Sequence, residues 1–545
     1  MQDHTEVEVG GQKQQIFLHA ERRIQLETLR LPFIALPRTM LHRILKMVGA
    51  LGAGIGATLL TQFLLPPAFI HYYGVGKYGE WLVLSATLSY LSTLNFGITT
   101  YATNELTMLA KRGEMGRYRD LQGSTLALLF CLAFFGMTLV SAIFFLPLAK
   151  LLHLSLVTPL DVLWTAFFLG LQSLVNLVVS YYNSMFMVVE HTHRGLTWAT
   201  ARRLVATLIS IPLIMLRLSF PTIALGQFVA VVIVSLFSIY DLKRMMRSLP
   251  LGLQGANWKT AKATLAPSGM FAMIYTQQFL VFQAPVVMLQ WILGSEIVVL
   301  FTISRTILAT ARLVLATLTS SVSQEITYSF AERNMQKMLK IFHYSEKILF
   351  GLIPIANLGA FLVSPILLKV WLHKPLLFEP YTYGLMALIS GAMSMREHKQ
   401  YFQFSTNMHK RLSLIMFFSN LTMVLVSIPL TLKFGLYGFM FTWLASELAQ
   451  MGLIYHENKK LFHNDPSISF VPVLKLSLVM LVSLPICVGL VHYVQQRSLV
   501  MVGAAAACGV VMLTVESYFV FGLKDVWDEF QRRRPGRAVS GAPAV

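Results

Sequence analysis

Residues 198–217 read WATARRLVATLISIPLIMLR, and residues 412–432 read LSLIMFFSNLTMVLVSIPLTL. Each is long enough to cross a bilayer, since a spanning helix needs about 20 mostly apolar residues. Both approach their end on the same tetrapeptide, Ser210-Ile211-Pro212-Leu213 and Ser427-Ile428-Pro429-Leu430. Ser427 follows Ser210 by 217 positions, and His193-Arg194 and Lys410-Arg411 precede the two copies at that same offset. Gly74 and Gly294, 220 positions apart, open loops before two further apolar runs, while Pro66-Pro67 and Pro285 interrupt the runs before those loops. The shared offset predicts an internal duplication. Six spans per copy is an even number, so the copies keep one orientation and are related by an axis along the membrane normal.

Outward from these two stretches, the apolar runs continue from residue 44 to residue 522. The chain is 55% hydrophobic and 13% charged, with a mean hydropathy of +0.63. A soluble chain would carry about 25% charged residues. We count about fourteen spans and see no strand-like alternation. The expected fold is therefore an all-α polytopic membrane protein, because helices satisfy their own backbone polar groups in lipid. The expected organisation is a polar segment over 1–43, a first six-helix bundle over 44–245 and a linker over 246–262. A second six-helix bundle covers 263–460, two additional spans 461–522, and a basic tail 523–545.

The net charge of +19 follows the positive-inside rule rather than nucleic-acid binding. Most of the 44 Lys and Arg fall in alternate loops, which are assigned to the cytoplasm together with both termini. The opposite loops hold Lys77, Lys150, Arg217, Lys369, Lys374, Lys433 and Arg497. Arg305, Arg312 and Lys475 lie within or at the edge of spans. No signal peptide is expected, and residues 1–43 read as a cytoplasmic lead-in. Cys131, Cys487 and Cys508 have no metal spacing, and no metal site or cofactor is expected. There is no Gly-rich loop ending in Lys-Ser or Lys-Thr, so the chain carries no ATPase of its own.

One region carries a resemblance. Gly74-Val75-Gly76-Lys77-Tyr78-Gly79-Glu80-Trp81 opens the second span, with Tyr90 and Asn95-Phe96-Gly97 further along and the basic segment Ala110-Lys111-Arg112-Gly113-Glu114 after it. This resembles the polysaccharide-export flippases, the Wzx-type branch of the multidrug/oligosaccharidyl-lipid/polysaccharide exporter superfamily. Asn95 stands where that family has Asp. Phe434-Gly435-Leu436-Tyr437-Gly438 and the stretch from Leu300 to Ser321, followed by a polar run through Glu332, are softer matches. The resemblance covers about residues 44–455. It implies two six-helix bundles facing a central cavity, working by alternating access. It also implies transport of a lipid-linked oligosaccharide, on a polyprenyl diphosphate carrier, across the bacterial inner membrane for O-antigen, lipopolysaccharide or related surface polysaccharide. A polysaccharide polymerase machinery would be a partner.

The candidate site residues follow from the cost of polar groups in lipid, at least about 2.5 kcal/mol for a mid-span Arg. Arg305 and Arg312 are seven apart, so they share a helix face, and guanidinium groups grip phosphate bidentately. They are the candidates for the headgroup phosphates, with a structural ion pair as the competing reading. Glu80, next to Trp81, and mid-span Glu447 are candidates for ion coupling or for pairing with a base, with an interfacial position as the plain reading for Glu80. Asn95, Asn176, Gln277 and Gln283 are candidate polar points of a cavity, and helix–helix contacts would use the same groups. The function expected is a flippase rather than an enzyme. The alternatives are a small-molecule antiporter of the same superfamily, against which the two arginines argue, and a membrane-embedded glycan polymerase or glycosyltransferase.

Overall fold

A computed structural model describes residues 38–522 except 96, 248, 374–376, 407–408 and 495–497. The expectations for residues 1–37 and for the tail 523–545 lie outside the described residues. What is described is 87% helix without strands.

Eighteen helices follow in order. The first half comprises α1 (Arg38–Tyr73), α2 (Val75–Ser89), α3 (Ile98–Arg112), α4 (Met115–Ala142), the short α5 (Leu148–Leu151), α6 (Pro159–Met185), α7 (Thr192–Met215) and α8 (Phe220–Met245). The second comprises α9 (Trp258–Phe282), α10 (Ala284–Leu293), α11 (Ser295–Ser321), α12 (Ser323–Ala331), α13 (Met335–Leu367), α14 (Pro380–Ser405), α15 (His409–Phe434) and α16 (Leu436–Leu461). The helices α17 (Val471–Val494) and α18 (Leu499–Val520) are the last in the described residues.

The ends of these helices are written locally. Thr158 and Asn257 cap α6 and α9 by accepting from Asp161 N and Thr260 N at 3.2 and 2.7 Å, which satisfies donors left free by the first turn. Gly74 and Gly294, at φ 84° and 88°, stand immediately before α2 and α11. Only glycine adopts that conformation without steric cost, so the same turn is built twice, 220 positions apart. The SIPL prolines recur as well: α15 starts 217 positions after α7, so Pro212 and Pro429 are each the twenty-first residue of their helix. Ser210 and Ser427 are fully buried and donate to backbone carbonyls within their own helices.

The large apolar side chains on the outside, Phe134, Phe145 and Phe519 among them, face lipid. Eleven helices among the described residues are long and apolar enough to cross a membrane. Three of the expected spans fall short of that measure. The span over 79–101 breaks into α2 and α3 around a 3-10 turn at Tyr90–Asn95. Helix α14 carries Arg396, Glu397 and Lys399, and α16 carries Glu447, all in the interior of the protein rather than against lipid.

Within the first half, α6, α7 and α8 pack on one another and α1 packs along α7. Within the second half, α14, α15 and α16 pack together and α11 and α13 lean on α14. Helix α13 is also covered by α17 and α18. The halves meet where α2 packs on α10 and α11, and where α9 packs on α3 and α4.

Candidate functional site

Helix α1 stands between two cavities. The first, of about 730 Å³, lies between the halves and is lined by α1, α11, α12 and α14. Thr58, Leu59 and Gln62 face it from α1, and Arg312, Glu397 and Gln400 give it charged and amide groups. The second, of about 430 Å³, lies inside the first half, among α1, α2, α6, α7 and α8. Thr61 and Leu65 face it from α1, so a single turn of helix separates the two spaces.

Arg305 and Arg312 share a face of α11, and both guanidinium groups lie over the Phe282 ring, at 5.9 and 5.7 Å from its centroid. Their surroundings differ. Arg305 donates to the Phe282 carbonyl at 2.6 Å and lies 5.1 Å from the Phe301 ring, away from the lining of the inter-half cavity. The carbonyl is available because α9 stops there and Gln283 bridges to α10, freeing a carbonyl from the helical ladder. Arg312 lines the cavity and pairs with Glu397 of α14. That pair is only partly buried, at 18% and 21% side-chain exposure, so a ligand in the cavity can reach it.

Glu80 lies inside the protein rather than on its surface. It is fully buried, and its carboxylate accepts from the backbone N–H groups of Ser155, Leu156 and Val157 at 2.7, 2.8 and 3.0 Å. Those three donors satisfy the charge locally, and no basic side chain among the described residues pairs with it. The loop so held carries His153, whose ring lies 3.0 Å from the Trp291 carbonyl and whose own carbonyl accepts from Gln290 at 2.9 Å. Glu80 thereby braces a contact between the two halves. At the same end Gly79 packs directly on Ser295: a Cβ there would come within 2.3 Å of the Ser295 carbonyl oxygen. Trp81 is buried against Phe69 and Phe220 rather than placed in an interfacial belt, and it lines the smaller cavity.

Glu447 is fully buried, accepts from Arg396 Nε at 2.6 Å and from Trp443 Nε1 at 3.2 Å. Of the amides, Asn176 lines the smaller cavity. Asn95 accepts from Thr99 N at 3.1 Å and steadies the start of α3. Gln277 accepts from Asn420 at 2.9 Å, which in turn accepts from Gln450, so it ties α9 to α15 and α16. Gln283 sits at the α9–α10 junction.

The charge pattern alone missed four cations inside helices. Arg396 and Lys399 lie in α14, each matched by a buried acid, Glu447 and Glu346. Arg202 and Arg203 lie in α7 and line the smaller cavity. The signal was present in the apolar runs themselves, as Arg-Arg at 202–203 and Arg-Glu-His-Lys at 396–399. Counting charges loop by loop assigns such residues to the nearest cytoplasmic end, whereas compensation by a partner lets them remain inside.

No family model matches the chain, and no curated protein matches it. Solved structures share its fold. An inward-facing multidrug resistance MATE family transporter of the MOP superfamily overlaps 74% of this chain and 94% of its own, with a TM-score of 0.61 and 11% identity. Lipid II flippase MurJ, in an inward closed conformation, overlaps 89% of this chain and 100% of its own, with a TM-score of 0.62 and 11% identity. A MOP superfamily transporter from Pyrococcus furiosus, described by the reverse polarity of its binding pocket, overlaps 77% and 95%, with a TM-score of 0.53 and 13% identity.

Proposed function

We propose that this chain is a flippase that moves a polyprenyl-diphosphate-linked oligosaccharide across the bacterial inner membrane for surface polysaccharide synthesis. Its two six-helix bundles, 44–245 and 263–460, rock about the inter-half cavity. The observation that carries the reading is the charge of the cavities. Among their lining residues the cations are Arg312, Arg202 and Arg203, and the one acid, Glu397, is already engaged by Arg312. Such a lining favours an anionic cargo and opposes export of an organic cation. The fold shared with the lipid II flippase, over 89% of this chain, supports the same reading.

In this mechanism a lipid diphosphate enters the inter-half cavity and displaces Glu397 from Arg312. The exchange replaces one anion by another in a site of low dielectric, where charge-assisted bonds are strong. Arg305, fixed over Phe282 next to Arg312, adds attraction at short range. Gln400 and Gln62 offer donors and acceptors to the first sugars. The released Glu397 becomes an unpaired acid, which gives the loaded state a different charge from the empty one.

The test is reconstitution in liposomes with a fluorescent polyprenyl-diphosphate oligosaccharide on the outer leaflet, following its protection from an added glycosidase. The wild type should protect the substrate over time, and Arg312→Gln should reduce the rate at least tenfold while leaving the protein folded. An unchanged rate in Arg305→Gln/Arg312→Gln would remove both residues from the mechanism. Absence of translocation by the wild type, with transport of an organic cation instead, would replace the reading by the antiporter.

A further inference from the structure

Among the described residues, the arginines set deep in helices α7, α11 and α14 are compensated with one exception. Arg312 has Glu397, Arg396 has Glu447, Arg305 has the Phe282 carbonyl, and Arg203 donates to the Thr58 hydroxyl. Arg202 has neither a hydrogen bond nor an ion pair among the described residues, and the charged neighbour acting on it is another cation, Arg203. It stands ten residues into α7, about 15 Å along the helix at about 1.5 Å per residue, and it lines the smaller cavity. An unpaired guanidinium at that depth is costly unless it faces water or a ligand.

Apart from Arg203, the rest of that cavity's lining is uncharged. Gln172, Asn176 and Gln227 line it, and no acidic side chain does among the described residues. The Gln172 Oε1 is buried without a donor. Gln227 donates to Ser210 at 2.8 Å, which orients its amide. A cation seeking an anion thus lies beside acceptors seeking hydroxyl donors, with the Trp81 ring as an apolar wall. A sugar that carries a negative group presents all three features at once: anion, hydroxyls and an apolar C–H face. Because α1 alone separates this space from the inter-half cavity, a glycan headed by its carrier in one can extend past α1 into the other.

We infer that the cavity inside the first half is a second subsite, in which Arg202 binds an anionic group of the cargo, a sugar carboxylate or a phosphate. This rests on the reading of the chain as a glycan-lipid carrier and adds a second site for an anionic group of that cargo. In this subsite Arg202 takes the anion, Gln172 accepts from a neighbouring hydroxyl, and Trp81 meets the ring face.

The experiment is titration calorimetry on the full chain in nanodiscs with three soluble probes: a tetrasaccharide bearing one glucuronate, its neutral glucose counterpart, and inorganic pyrophosphate. At least one charged probe should bind tenfold or more tighter than the neutral one. Arg202→Gln should erase that difference. A preference for the uronate identifies an acidic sugar as the source, and a preference for pyrophosphate identifies the carrier phosphate. Should Arg202→Gln not fold, Arg202→Lys tests the bidentate guanidinium contact and Gln172→Leu the hydroxyl contact. The first should weaken the charged probe several-fold, and the second should weaken the saccharide but not pyrophosphate. Equal binding of charged and neutral probes, or binding indifferent to both Arg202 and Gln172 in folded protein, overturns the inference. Translocation of lipid-linked glycan in the preceding assay uses different probes, so the subsite can fail while the flippase reading stands, and the reverse.

Discussion

At the scale of single residues, two ion pairs with the same chemistry have different consequences because their burial differs. Arg396–Glu447 is almost wholly buried, at 6% and 0% side-chain exposure. Removing one partner leaves an uncompensated charge in the interior, at a cost of about 3–5 kcal/mol. Arg396→Ala should therefore lower the melting temperature of the purified protein markedly. Arg396→Met/Glu447→Leu should recover most of the loss, since a packed apolar pair can replace a buried ionic one. Arg312–Glu397 borders a cavity and is partly exposed, so its loss costs less stability. Arg312→Gln should leave the melting curve nearly unchanged and show its effect in transport. A fall in melting temperature as large as that of Arg396→Ala would reassign Arg312 to a purely structural role.

At the scale of elements, the joint between the halves is made by short pieces. The Tyr78-Gly79-Glu80-Trp81 stretch at the start of α2 does three jobs in four residues: Gly79 lets α2 touch the start of α11, Glu80 holds the loop after α5, and Trp81 closes the smaller cavity. A hydrogen bond to a charged group contributes about 1.5–3 kcal/mol, and Glu80 accepts three. Glu80→Ala should free the loop that braces the two halves. A cysteine placed at Ser155 should then react with a membrane-impermeant maleimide several-fold faster than in the parent protein, and equal rates would show that the loop is held by other contacts. Gly79→Val should loosen the same end by pushing α2 off Ser295, with the same labelling readout. The sequence resemblance selected this stretch, and in the structure the Glu80 carboxylate accepts from three backbone donors.

At the scale of the whole molecule, the last two helices act on the second half. Helix α18 packs along α13, and a Cβ on Gly509 would meet Leu362 at 2.5 Å, so the pair covers a helix that otherwise presents a broad apolar face. Truncation after residue 461 should yield protein that reaches the membrane but melts well below the full chain, and an undiminished melting temperature would show that the pair is dispensable for stability. The direction of insertion belongs to this scale too. A C-terminal green fluorescent protein should fluoresce and an alkaline phosphatase joined at the loop around His153 should be active, as the distribution of Lys and Arg requires. The opposite pattern would invert the proposed route of the cargo.

The sequence by itself determined the membrane setting, the helical class and the recurrence of helices at offsets near 217–220. Those properties depend on length, hydropathy and local turn chemistry, which are legible along the chain. It also marked Arg305 and Arg312, since a cation within an apolar run stands out without a structure. Only the tertiary structure decided which charges are spent on one another: Glu80 on three amides, Glu447 on Arg396, Glu346 on Lys399, Glu397 on Arg312. Those pairs join residues between 51 and 85 positions apart, and the amides lie 75 to 77 positions beyond Glu80, where no local pattern reaches. Compensation depends on which helix faces come together, and among the described residues it leaves Arg202 unmatched beside the smaller cavity.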